Sequence, residues 1–236
     1  MKIAIITARG GSKRIPRKNI KLFLGKPIIQ YSIEAALKSN IFDEVMVSTD
    51  DKEIAEIAVS LGAKVPFFRS NKNSDDYSTT CDVLEEVILD YKKIGVNFQY
   101  LCCIYPTAPF VTSEKLVYAM EKLINENVDC VLPIVEYSYP IQRSLKIENE
   151  RVIMNWPENY FSRSQDYQSV FHDCGQYYSM KTESMLEQMK LFATNTSPVI
   201  TSELEVQDID NEIDWKIAEI KYLMFTNKNL EIDELL

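Results

Sequence analysis

The sequence predicts an α/β fold, a mostly parallel sheet flanked by helices on both faces, and three observations carry that prediction. Short apolar runs alternate with amphipathic stretches of about 10 to 15 residues, the rhythm of βαβ units. The first run, Ile3-Ala4-Ile5-Ile6, is continuous rather than alternating, as in a strand buried on both faces. Charged loops follow the strand ends, where open parallel sheets bind their ligands.

The elements follow in order. After the first strand and an Arg-Gly-Gly turn, Pro27 opens a helix, because proline lacks the amide donor that a first helical turn leaves unpaired. Ile28, Ile29, Ile33, Ala36 and Leu37 then recur at helical spacing up to Ser39-Asn40. Val45 to Ser48 reads as the second strand, and Asp50-Asp51 as the acidic start of a helix over Glu53 to Leu61, closed by Gly62. Lys64 to Phe67 is expected to form a third short strand before a polar loop from Ser70 to Tyr77. A helix over Thr79 to Tyr91, a strand over Tyr100 to Ile104, a helix over Ser113 to Asn125 and a strand over Asp129 to Val135 continue the alternation.

Between Glu136 and Phe171 the rhythm fails, with proline, aromatic and charged residues mixed without periodicity. Long irregular segments in compact domains are usually functional or make interfaces, so 136–171 reads as an arm inserted in a single domain spanning 1–236. A strand near Gln176 to Met180, a short helix from Thr182, a strand near Ser197 to Thr201 and a last helix over Glu212 to Met224 complete the plan. The tail from Asn227 to Leu236 reads as a polar helix end or frayed terminus with no function.

With 236 residues, 46% of them hydrophobic, the chain can bury a substantial core. A net charge of −9 disfavours nucleic acid, whose phosphates it repels. No stretch reaches the roughly 18 to 20 apolar residues of a membrane span, and the apolar Met1 to Ala8 is too short for a signal-peptide core. The expected location is the cytoplasm, and the five unspaced cysteines read as reduced core thiols.

Two clusters carry chemistry. The loop Ala8-Arg9-Gly10-Gly11-Ser12-Lys13-Arg14-Ile15-Pro16-Arg17-Lys18-Asn19 combines a glycine pair with cations that neutralise phosphate, yet it matches neither the dinucleotide fingerprint nor the Walker loop. Near the end, Asp208 and Asp210 face one way if the chain is extended there, a pair suited to Mg2+ beside nucleotide phosphates. The competing reading, that Asp210 or Asn211 only caps the last helix, is equally compatible with the spacing.

The first loop, Val47-Ser48-Thr49-Asp50, Tyr105-Pro106-Thr107-Ala108-Pro109 and Gln207-Asp208-Ile209-Asp210 occur in the order seen in CMP-sialic acid synthetases, and the chain resembles that family along nearly its whole length. Pro140-Ile141-Gln142-Arg143, Arg163-Ser164-Gln165-Asp166 and His172 to Tyr178 resemble its pseudaminic acid cytidylyltransferase branch, which carries alanine at the positions of Pro106 and Cys174. The resemblance implies a Rossmann-like fold of the nucleotide-diphospho-sugar transferase type. It also implies transfer of CMP from CTP to a nine-carbon acidic sugar, a Mg2+ cofactor, and a homodimer with exchanged arms. Arg9, Lys18 and Asp208 would be catalytic, and Ser12, Lys13, Asn19, Arg69 and Thr79 would hold the nucleotide. Tyr105, Gln176 and Tyr178 would contact the sugar, Arg143 and Arg163 would reach it from a neighbouring subunit, and Asp208 with Asp210 would bind the metal. N-acetylneuraminic or legionaminic acid in place of pseudaminic acid, and a nucleotide binder without catalysis, stay open as alternatives.

Overall fold

The computed structural model describes residues 1–226; the tail reading from Asn227 onward lies outside the described residues. Its first half runs β1 (Lys2–Thr7), β2 (Leu22–Phe23), β3 (Lys26–Pro27), α1 (Ile28–Ser39), β4 (Glu44–Ser48), α2 (Lys52–Ser60), α3 (Thr80–Lys93), β5 (Tyr100–Ile104) and α4 (Ser113–Asn125). Its second half runs β6 (Cys130–Glu136), β7 (Leu145–Glu148), β8 (Arg151–Met154), β9 (Phe171–Asp173), β10 (Tyr177–Lys181), α5 (Thr182–Gln188), β11 (Thr196–Ile200) and α6 (Glu212–Thr226).

One seven-stranded sheet has the order β11-β6-β10-β5-β1-β4, with β9 also on β6. Strands β4 and β5 flank β1 in parallel, and β11 is parallel to β6. β10 runs antiparallel between β5 and β6. The continuous apolar run of β1 is explained by its two covered faces. Ala4 and Ile6 pack with residues of α1, α2 and α4, while Ile3 and Ile5 pack with α3 and Met185 of α5. Ile3, Ile5 and Ile6 are fully buried, each contributing about 1.5–3 kcal/mol.

The expected strand over Lys64–Phe67 is absent and shrinks to one bridge between Lys64 and Met46. Lys64 N donates to Val45 O and Val47 N donates to Lys64 O, both at 2.9 Å. Pro66 then has no amide to continue the ladder. Two small hairpins, β2–β3 and β7–β8, and the short β9 were not expected. All five cysteines are buried and unpaired, and no helix among the described residues is long and apolar enough to cross a membrane.

Candidate active site

From β1 the chain moves to β4 on one side and then crosses to β5 on the other, so the carboxyl ends of β1 and β5 part at a topological switch point. A cavity of about 750 Å3 opens there. Its walls are the loop after β1, Arg69 and the Asn73–Thr80 turn, and Tyr105 to Thr107 after β5. Of the expected nucleotide residues, Arg9, Ser12, Lys13, Lys18, Asn19, Arg69 and Thr79 all line it.

Within the loop the cations divide. Arg17, in a left-handed conformation (φ 55°), forks onto Asp51 and also pairs with Glu53, and Lys21 pairs with Glu212 beneath Trp215. These two tie the loop to α2 and α6. Arg9, Lys13, Arg14 and Lys18 face the cavity instead. The Asp76 carboxylate accepts from both Arg9 and Lys13, and Arg9 also donates to the Asp75 carbonyl at 3.0 Å. The Asn19 amide donates to the Arg9 carbonyl at 2.8 Å and so braces the loop backbone. Gly10 N–H is taken by Asp50 Oδ1 at 2.8 Å, so of the two glycines this one serves close packing rather than an open anion site.

Arg69 is buried and anchored, its guanidinium donating to Ser48 Oγ at 3.1 Å and Ser48 O at 2.6 Å. Burial lowers its pKa, against the pull of Asp50 and Glu86. Thr79 has two duties: it caps α3 in a reciprocal box with Asp82 and lines the cavity.

Neither Asp208 nor Asp210 lines this cavity, but the segment that carries them is tied to its rim by a residue 191 positions away, since Lys18 Nζ donates to the Ile209 carbonyl at 2.6 Å. Desolvation lowers the Lys18 pKa, with Asp210 and Asp208 opposing it. Asp210 also pairs with Arg14 at 2.7 Å. Asp208 keeps solvent-exposed surface, yet the protein wall behind it and repulsion from Asp210 raise its carboxyl above the ordinary range. Capping of α6 falls to Asn211, which accepts from Ile213 and Asp214 amides, while Asp214 accepts from the Asp210 and Asn211 amides. The competing role for Asp210 is thereby filled by its neighbours.

A second cavity of about 490 Å3 adjoins the first and shares Thr79, Thr80 and Tyr105 with it. Tyr178 lines it, and its hydroxyl donates to the Asp173 carboxylate. Gln176 lines neither cavity: it is buried, its amide donating to the Glu205 carbonyl at 2.6 Å. Arg143 and Arg163 lie exposed on the 136–171 segment, Arg163 paired with Asp166 at 3.2 Å, and neither lines these cavities. Asp76 and Thr80 were missed as cavity residues, and Arg14 and Asp173 were seen within motifs but given no role of their own. Only their nearness to singled-out positions hinted at them, because their neighbours come from other elements.

Crevice, cation-lined loop and acidic pair together define an α/β protein that handles nucleotides. A family model described as cytidylyltransferase matches residues 3–214, and the chain belongs to that family; it is a nucleotidyltransferase. It is 43% identical over 221 residues to a pseudaminic acid cytidylyltransferase of Campylobacter jejuni, covering 93% of this chain and 95% of that protein. It is 32% identical over 223 residues to the CMP-N,N'-diacetyllegionaminic acid synthase of Legionella pneumophila, covering 92% and 94%. The solved structure of a CMP:2-keto-3-deoxy-manno-octonic acid synthetase complexed with CTP shares the fold, with a TM-score of 0.67 at 17% identity over 96% of this chain and 99% of that one.

Proposed function

We propose that the protein transfers CMP from CTP to pseudaminic acid, releasing pyrophosphate, and that it acts in the cytoplasm as a homodimer. The observation that carries this reading is the Lys18–Ile209 hydrogen bond, which ties the segment bearing the carboxylate pair to a lysine that lines the cavity. The similarity to the Campylobacter enzyme, spanning nearly both chains, supports the choice of sugar.

In this reading the anomeric hydroxyl attacks the α-phosphorus in line and passes its proton to the Asp208 carboxylate, a phosphorus–oxygen bond forms, and the bond to the β-phosphate breaks with its electron pair leaving on pyrophosphate. Arg9, Lys13 and Ser12 hold the phosphates, with the two cations exchanging Asp76 for phosphate oxygens. Lys18 neutralises the charge that grows on the α-phosphate, and its fixed position means little reorganisation in the transition state. Arg69, Asn19 and Thr79 frame the nucleoside. Tyr105 and Tyr178 contact the sugar, Gln176 braces Tyr105 by accepting from its amide at 2.8 Å, and Arg143 and Arg163 of the neighbouring subunit meet the sugar carboxylate.

Asp208 and Asp210 form an all-oxygen donor set with mutual repulsion, which a hard divalent cation fits. No group of three or more metal-ligating side chains occurs among the described residues, so a cation on this pair would need further ligands from the substrates. Mg2+ held by these two carboxylates would supply charge neutralisation and make the attacking hydroxyl more acidic.

The test is pyrophosphate release from CTP and Mg2+ with pseudaminic, N-acetylneuraminic and legionaminic acids in separate reactions. Release with pseudaminic acid above the others is expected. Preference for another acid overturns the choice of sugar, and no release from folded, metal-supplied protein overturns the reaction. Lys18→Ala should lower kcat about 100- to 1,000-fold while CTP affinity changes by less than about 10-fold; an unchanged kcat removes Lys18 from the transition state.

A further inference from the structure

The second cavity differs in chemistry from the first. The phosphate cavity is rich in cations, whereas here Met189, Leu191 and Phe192 from the loop after α5 form an apolar wall. Against that wall stands one carboxylate, Asp173, at the end of β9. Gly175, at φ 61°, lets the chain turn between β9 and β10, and its amide donates to Asp173 Oδ1 at 2.9 Å. The Tyr178 hydroxyl donates to the other oxygen. Two donors fix the carboxylate without filling it, since an ionised carboxylate has about four acceptor positions. Lys190 also borders the cavity but has no ion pair to Asp173 within 4.0 Å among the described residues.

A fixed acceptor beside an apolar wall fits one kind of group especially well: a secondary amide, whose N–H needs an acceptor and whose acyl methyl needs a dry surface. A bare hydroxyl would leave the wall uncovered, and a carboxylate would be repelled by Asp173. We propose that Asp173 determines sugar specificity by accepting the N–H of an acylamido substituent whose methyl packs on Met189, Leu191 and Phe192. This assignment rests on the reading of the reaction given above and names a substrate contact beyond the residues found by sequence.

The shared edge formed by Thr80 and Tyr105 explains how both cavities serve one reaction. The Tyr105 ring lies 5.6 Å from that of Tyr178, and Phe192 meets the other side of Tyr178 at 6.4 Å. An acylamido group seated between Asp173 and Phe192 therefore lies within one sugar's reach of the phosphate cavity.

The test is a substrate–mutant cycle on the intact enzyme. Asp173→Ala and the shape-preserving Asp173→Asn are assayed with the sugar acid the unmodified enzyme uses and with congeners in which an acylamido group is replaced by hydrogen. CTP affinity is measured in parallel. Loss of a hydrogen bond to a charged acceptor should raise the sugar KM about 10- to 100-fold, with CTP affinity within about twofold. The penalty should vanish on one congener, because that congener has no N–H to lose. An equal penalty on every congener, or an unchanged sugar KM in both variants, overturns the role of Asp173 while leaving the reaction standing. No pyrophosphate release by the unmodified enzyme with any nine-carbon acid overturns the reaction and this assignment together.

Discussion

Gly10 occupies a position where a side chain collides with a helix cap: a Cβ there would lie 2.8 Å from Asp51 Oδ2 and 2.9 Å from Asp51 Cβ. Because Asp51 is held by both Arg17 and the Ile54 amide, it cannot swing aside freely. Gly10→Ala should therefore destabilise the protein by about 1–3 kcal/mol, read as a lower denaturant midpoint at unchanged slope. Gly11, with nothing within 4 Å of its built Cβ, should accept alanine at less than about 0.5 kcal/mol. The two glycines look alike in sequence, and the difference between them lies in a contact with Asp51, 41 positions after Gly10. The same holds for Arg17 and Lys18, adjacent cations of which one clamps α2 and the other meets Ile209. That this loop supplies cations to a strand-end cavity was legible from residue chemistry, whereas the division of labour was set by tertiary partners that no spacing rule reveals.

Among the elements, α2 shows how the site is held rigid. Asp51 caps the helix by accepting from the Ile54 amide at 3.0 Å, and Arg17 secures the same carboxylate. The Arg17 hydrogen bonds, with help from backbone amides, hold the Asp51 pKa to about 2, below the usual aspartate value of about 3.9. A depressed folded-state pKa stabilises fully above the unfolded value and is lost as pH falls through the folded one. Stability should therefore decline between about pH 4 and pH 2 partly through Asp51, and Asp51→Asn should flatten that part of the curve in acid-unfolding experiments. An unaltered acid limb in the variant would show that the Arg17 clamp adds no pH-dependent stability.

The long periodic elements were legible because burial enforces their pattern: β1, β4, β5, β6 and all six helices lie within a few residues of expectation. Short elements were not, because tertiary hydrogen bonds decide them. Pro66 ends what the apolar Val65-Pro66-Phe67 suggested was a strand. In the arm, Asn149 and Glu150 both take positive φ (50° and 62°), a two-residue hairpin turn between β7 and β8. Asparagine was the available cue, but glutamate at the second position hides the turn.

At the scale of the molecule, the 136–171 segment leaves much apolar surface uncovered: Phe161 is 93% exposed, Tyr139 84% and Ile147 77%. A strand pair with few buried side chains is marginal alone, and aromatic surface of this kind is characteristic of interfaces. In the proposed homodimer, an exchanged 136–171 segment would cover it and bring Arg143 and Arg163 to the partner's second cavity, which neither residue lines within one chain. Two crippled variants should then rescue one another. Lys18→Ala destroys the site on its own chain but carries an intact arm, while Arg163→Ala, expected to cut activity by at least about 10-fold through lost carboxylate binding, keeps its Lys18. Mixed, unfolded and refolded at equal amounts, about half the dimers pair the two variants, and each of these has one complete site. Activity near ~25% of the unmodified enzyme is the expected result. If both residues act within one chain, every mixed dimer holds only damaged sites, and activity stays at the average of the two variants, whatever the oligomeric state.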